Sequence, residues 1–142
     1  MGPTVAPLVQ KWRQEYQVPT MIDGPMGQPV GALARLRGTT NFLLDLRRRP
    51  EKMLEVMDVL SDGLIAFSLM QAEMLNAKTL ILGGGTAADF ISPAMFEKFV
   101  LPFILRSAHA AVEAGYQLQY HFDTNWTPML PYLKELPAKS GY

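Results

Sequence analysis

His121 and Asp123 have side chains and spacing suited to chemistry. They are separated by one position at the end of the run QLQYHFD, so in extended backbone both project to the same side. An imidazole nitrogen and a carboxylate oxygen placed this way can ligate zinc, which takes at least three protein ligands. Alternatively, the carboxylate orients the imidazole for acid–base work. A structural alternative is equally concrete: His121 ends the strand while Asp123 and Asn125 hydrogen-bond the turn before Trp126. Position favours chemistry, because the loop that follows a parallel strand is where α/β enzymes hold their ligands.

The other candidates carry weaker signals. Gly83, Gly84 and Gly85, followed by Thr86, can bring backbone N–H groups close to an anion or leave room for a substrate. The run lacks the GxxxxGK[ST] and GxGxxG spacings, and a plain strand-to-helix turn accounts for it more simply. Asp89, in the same loop, is either a general base or the cap of a turn. Trp126 and Phe122 can stack on a ligand or simply pack at a helix start. Gly84, Gly85, Thr86, Asp89 and Trp126 form the expected substrate-binding set. Arg35, Arg37, Arg47, Arg48 and Arg49 can grip carboxylate or phosphate bidentately, although such a run is usually a solvated face. His109, between alanines in mid-helix, reads as structural or solvated. Met53, Met57, Met70 and Met74, at helical spacing, read as core filling.

The elements that must position these residues follow from pattern and punctuation. TLILGGG reads as a buried strand, ISPAMFEKFVLPFILRSAHAAVEAG as helix, QLQYHFD as a second strand and TNWTPMLPYL as the start of a further helix. A βαβ unit in this order places the loops after its two strands at the same end of a parallel sheet. Ser92 is a natural N-cap with Pro93 at the first helical position, Pro102 breaks that helix and starts the next, and Gly115 ends it. Thr127 and Pro128 repeat the cap-plus-proline device. Upstream, an amphipathic helix is expected over 8–16, and the apolar fragment FLLDL in 41–46 suits either a strand or a helix, with helix the preferred reading. A long helix is expected over 50–75, with Pro50 and Glu51 in its first turn and Gly63 as a place for a bend or a close helix contact. Between them, Pro19, Gly24, Pro25, Gly27 and Pro29 predict a loop or arm over 17–30.

Composition bounds the function. The chain of 142 residues is 49% hydrophobic and 18% charged, with acidic and basic residues balanced at 13 each. No broad electrostatic footprint for nucleic acid or an anionic membrane follows from that balance. No apolar run approaches the ~18–20 residues of a spanning helix, and MGPTVAPLVQKWRQ lacks the apolar core of a signal peptide. With no cysteine, disulfides and thiolate metal sites are excluded, and a cytoplasmic location is expected. A closed eight-stranded barrel needs about 250 residues. The expectation is therefore a single truncated domain, with 1–40 as N-terminal arm and loop and 41–142 as helices and first βα units, stopping in mid-pattern at LPAKSGY. Its open strand edges would seek the remainder of a barrel or another copy of the chain.

Over residues 44–136, LDLRRRPE, the long helix, the strand ending in glycines, ISPAMFEKFVLPF, EAGY and HFDTNWTPMLPYLKELP resemble the uroporphyrinogen decarboxylase superfamily. The resemblance implies a partial TIM-type (β/α) barrel, its first half, with parallel strands and a helical N-terminal segment. The superfamily holds uroporphyrinogen decarboxylases beside zinc-dependent methyltransferases that work with corrinoid proteins. In the methyltransferase branch the strand ending in His leads to an H-x-C zinc motif; His121 matches its first ligand, Asp123 stands where Cys would be, and the later ligand would lie past Tyr142. A carboxylate activates a thiol substrate less well than a thiolate-ligated zinc does. The arginine-bearing RQAGR-like motif and downstream Asp of the decarboxylase branch have no counterpart, LARLRGTT being a distant substitute. The resemblance thus implies methyl transfer with a small molecule or a corrinoid-carrying partner protein, His121 and Asp123 holding a metal or polarising the reacting group. The alternatives are porphyrinogen decarboxylation, which belongs to haem biosynthesis, and a non-catalytic binding or assembly module. If ligands supplied by the missing half are essential, the isolated chain is inactive.

Overall fold

The computed structural model describes residues 5–17, 24–83 and 90–141. In chain order its elements are α1 (Val5–Tyr16), β1 (Gly24–Met26), α2 (Pro29–Arg37), α3 (Thr39–Arg48), α4 (Pro50–Met74), β2 (Thr79–Gly83), α5 (Pro93–Phe99), α6 (Leu101–Glu113), β3 (Gln117–His121) and α7 (Leu130–Leu133). A 3-10 turn, Thr127–Met129, leads into α7.

The helices begin and end where their residues require. Pro29, Pro50, Pro93 and Pro102 each stand in a first turn, where the missing N–H has no helical partner to lose. The Ser92 hydroxyl accepts from the Met95 N–H at 3.3 Å and caps α5. Gly115, at φ 83°, closes α6 with its N–H on Val112 O, and Tyr116 N–H reaches back to Ala111 O. This is the left-handed glycine exit that satisfies the last carbonyls of a helix. Thr127 does not cap the last helical segment. It is the first residue of the 3-10 turn, and its N–H is taken by Asn125 Oδ1 at 3.0 Å, because a side chain two residues earlier in the turn can reach that N–H.

The strands are parallel, in the order β1-β2-β3, and form an open sheet. This is the expected α/β arrangement. The loop expected over 17–30 is corrected by β1, which pairs Gly24, Pro25 and Met26 with Leu80, Ile81 and Leu82. Its prolines and glycines keep it to three residues, and its place at an edge tolerates Pro25, which lacks one ladder donor. Beyond α7 the chain returns to β3, where Leu118 N–H donates to Ser140 O at 2.8 Å and Leu118 forms a parallel bridge with Gly141.

The core lies between the sheet and α4 and α6. The first of these helices packs on β1 and on α6, which packs on β2 and β3. Leu80, Leu82 and Leu118 are fully buried there with Met26, Met57, Phe96 and Ile104. Met53 and Met57 fill the core as expected, but Met70 and Met74 are 49% and 75% exposed. At ~100° per residue, Met70 lies about 220° around the helix from Met57, on the opposite side. A Cβ added at Gly63 would meet no atom within 4 Å among the described residues, so none of them makes a close helix contact there. Among the described residues, no helix is long and apolar enough to cross a membrane.

Polar ties set the helices against the strand ends. Gly27 N–H donates to Ser68 Oγ at 3.1 Å, and Gln28 Nε2 donates to Ser107 Oγ at 2.9 Å. The segment after β1 is thereby held to both α4 and α6. On the surface, Arg106 of α6 spans to Asp58 and Asp62 of α4. Hydrogen bonding to Asp58 raises its pKa further above the usual value.

Candidate functional site

The carboxyl ends of β2 and β3 lie side by side, with Gly83 paired to His121. Gly83 adopts φ 119°, and a Cβ there would meet the His121 carbonyl oxygen at 2.2 Å. This first glycine of the run serves close approach of two backbones. Gly84, Gly85, Thr86 and Asp89 lie outside the described residues.

His121 is the last residue of β3, and Asp123 comes to the same side, as extended spacing predicts. His121 Nε2 and Asp123 Oδ1 are 3.6 Å apart, each side chain 53% exposed. That separation exceeds hydrogen-bond distance, so attraction between them is that of an ion pair and arises when the imidazole is protonated. The arrangement offers two chemistries: a nitrogen and an oxygen donor facing one ion, or an imidazole with a carboxylate beside it.

What fixes Asp123 is its own main chain. The Trp126 indole N–H donates to the Asp123 carbonyl at 2.7 Å, across a tight turn in which Thr124 takes φ 70°. Trp126 is 5% exposed. Its ring stacks on Phe122 at 4.2 Å and meets Phe96 edge-on at 5.5 Å. Phe122 stacks in turn against Tyr120, and Phe96 meets Tyr132 at a tilt of 49°. The structure therefore places Trp126, expected in the substrate-binding set, as a buried clamp on the loop. Phe96 enters this aromatic row from α5, thirty residues earlier, and Tyr132 from the helix that follows the loop; periodicity alone carries no signal for their role. Tyr120 Oη lies 2.6 Å from Ser140 Oγ; burial pushes its pKa up, with the hydrogen bond opposing.

The remaining candidates fall elsewhere. His109 is exposed on α6. Arg35 Nε donates to Gly31 O at 3.3 Å, and Arg37 Nε to Asp45 Oδ2 at 2.8 Å. The Arg37 guanidinium, above all through that hydrogen bond, holds the Asp45 carboxyl below its ordinary value of 3.8.

Two ligands of one tetrahedral zinc stand roughly 3.3 Å apart, given metal–ligand distances near 2.0–2.2 Å. The His121–Asp123 spacing of 3.6 Å is compatible with that. Among the described residues no group of three or more His, Cys, Asp or Glu converges, so the pair supplies two of the at least three donors zinc requires.

No curated protein and no solved structure matches the chain. The family model described as Uroporphyrinogen decarboxylase (URO-D) matches residues 2–140. That span holds every element of the sheet and the His121 loop alike, and the chain belongs to the uroporphyrinogen decarboxylase family, a family of enzymes.

Proposed function

We propose that the chain belongs to a (β/α) barrel enzyme of the cytoplasm that takes part in methyl transfer linked to a corrinoid-carrying partner protein, with β1, β2 and β3 as neighbouring barrel strands. The observation that carries this reading is the His121–Asp123 pair, 3.6 Å apart and half exposed at the carboxyl end of β3. H-x-D there resembles the H-x-C of the methyltransferase branch. His121 and Asp123 would hold a zinc ion, a third donor joining from outside the described residues. When bound, the ion supplies Lewis-acid activation of the group that gives or receives the methyl.

The chain's own residues do the positioning. β2 and Gly83 hold the His121 backbone, the Trp126 N–H holds the Asp123 carbonyl, and their exposure leaves both side chains open to a docking partner. A carboxylate in place of a thiolate withdraws the thiol-activating feature of the branch, so methyl passage to a thiol is disfavoured. A second reading, porphyrinogen decarboxylation, rests on the description of the matching family model. There a carboxylate at the barrel mouth would stabilise a protonated pyrrole, although the Asp motif of that branch has no counterpart in this chain.

Metal analysis of the purified chain, reconstituted with zinc, beside His121→Ala and Asp123→Ala separates these readings when paired with a methylcobalamin absorbance titration. Zinc lost in both variants, together with a corrinoid spectral change in the parent, is the expected result. Absence of both zinc and a spectral change would overturn methyl transfer, and consumption of uroporphyrinogen with release of carbon dioxide would put decarboxylation in its place.

A further inference from the structure

On α3, Thr40, Leu43, Leu44 and Arg47 follow the i, i+3, i+4, i+7 spacing of one helical face. All four border an open recess of about 250 Å³ whose other wall is Phe90 and Met95, at the entry to α5. The stripe of α3 that enters the core is a different one, Phe42 and Leu46, 3% and 4% exposed. The recess is an apolar surface left open to solvent: Phe90 is 62% and Leu44 38% exposed. At its margin stands a cation without a counter-ion. Arg37 is committed to Asp45, and the other cations acting on that carboxylate are Arg49 and Arg48. Arg47 has no ion pair or hydrogen-bond partner among the described residues.

We propose that this recess binds a small organic anion, its apolar ring or short chain lying on Leu43, Leu44, Phe90 and Met95 and its carboxylate on the Arg47 guanidinium, with the Thr40 hydroxyl as a second donor. Charge complementarity selects the anion: the apolar walls take the ring or chain, and a guanidinium fork matches two carboxylate oxygens. The volume falls below the ~300–1,000 Å³ of drug-sized sites, so one ring with a short acidic tail fits and a tetrapyrrole does not. The His121–Asp123 pair does not border the recess, and the inference does not rest on the methyl-transfer reading.

The test is a titration of the purified chain with 4-phenylbutyrate, followed by proton–nitrogen NMR, with the neutral 4-phenylbutyramide as comparison. Saturable shifts at 40–47 and 90–95 are expected. Arg47→Gln weakens binding by about tenfold, the amide binds weaker than the acid by about the same factor, and Arg48→Gln, in the same helix turn, changes little. Arg47 is exposed, so its substitution leaves the fold intact, which the unshifted resonances of the sheet verify. The proposal is overturned if no saturable shift occurs at millimolar probe, if Arg48→Gln weakens binding as much as Arg47→Gln, or if acid and amide bind alike.

Discussion

Gly83 faces His121 across the β2–β3 ladder so closely that a methyl group on Gly83 would stand 2.2 Å from the His121 carbonyl oxygen. With φ at 119°, the position is hostile to any L side chain on two counts. Gly83→Ala is expected to destabilise by about 1–3 kcal/mol from backbone strain, with the clash in addition. Because β3 must yield, the His121 ring resonances should move as well. Denaturant unfolding and NMR of the variant check both effects, and an unshifted His121 would remove the claim that Gly83 positions it.

The indole N–H of Trp126 is the clamp on Asp123. Trp126→Phe keeps a ring to stack on Phe122 and removes the hydrogen bond, at a cost of about 1 kcal/mol in stability. If His121 and Asp123 share a metal, loss of such a supporting contact lowers metal affinity by roughly 10–100-fold. Zinc calorimetry on parent and variant reads this directly. Phe96→Ala, which empties the fully buried centre of the aromatic row, should cost about 3–5 kcal/mol.

Two buried serines on α4 make opposite predictions. Ser68 Oγ accepts from Gly27 N–H and donates to Leu64 O; Ser68→Ala strands the Gly27 donor and costs about 1–3 kcal/mol. Ser61 Oγ has no hydrogen-bond partner among the described residues. Ser61→Ala removes a buried polar atom that gains nothing, and is expected to be neutral or stabilising by up to about 1 kcal/mol. Urea midpoints of the two variants should move in opposite directions or, at the least, differ.

The Asp45 carboxyl is held below 3.8, first by its hydrogen bond from Arg37. A lowered folded pKa means that the unfolded chain takes up this proton first as acid is added. The contribution to stability is full above pH 3.8 and is lost as pH falls through the folded value. Carboxyl-carbon NMR titration should show Asp45 moving back toward 3.8 in Arg37→Gln. The acid limb of the stability curve should then lose that dependence.

Legibility in the sequence tracked how local the cause was. Pro50, Ser92 with Pro93, Pro102 and Gly115 mark helix ends through their own backbone chemistry, and the structure places boundaries at all of them. β1 was illegible because Gly24 and Pro25 become a strand only through pairing with Leu80 and Ile81, a partner far along the chain. The methionine stripe on α4 was readable as helix, yet spacing does not say which side faces the core, so Met70 and Met74 were misread. Of the candidate site, the alternation of residues 121 and 123 foretold their meeting. The clamp from Trp126 and the support from Phe96 come from turn geometry and tertiary packing, which no motif in the chain encodes.

The burial of Trp126 against the exposure of Trp12, the chain's other tryptophan, divides its ultraviolet emission into two populations. Trp12, 51% exposed, emits at longer wavelength and is open to collisional quenchers, whereas the shielded indole of Trp126 emits at shorter wavelength and is protected. That second component is hydrogen-bonded to the residue whose carboxylate faces His121. The protein thus carries an intrinsic optical gauge at the one loop where its chemistry is proposed, and a shift confined to the unquenched emission would register occupancy of that loop without any added label.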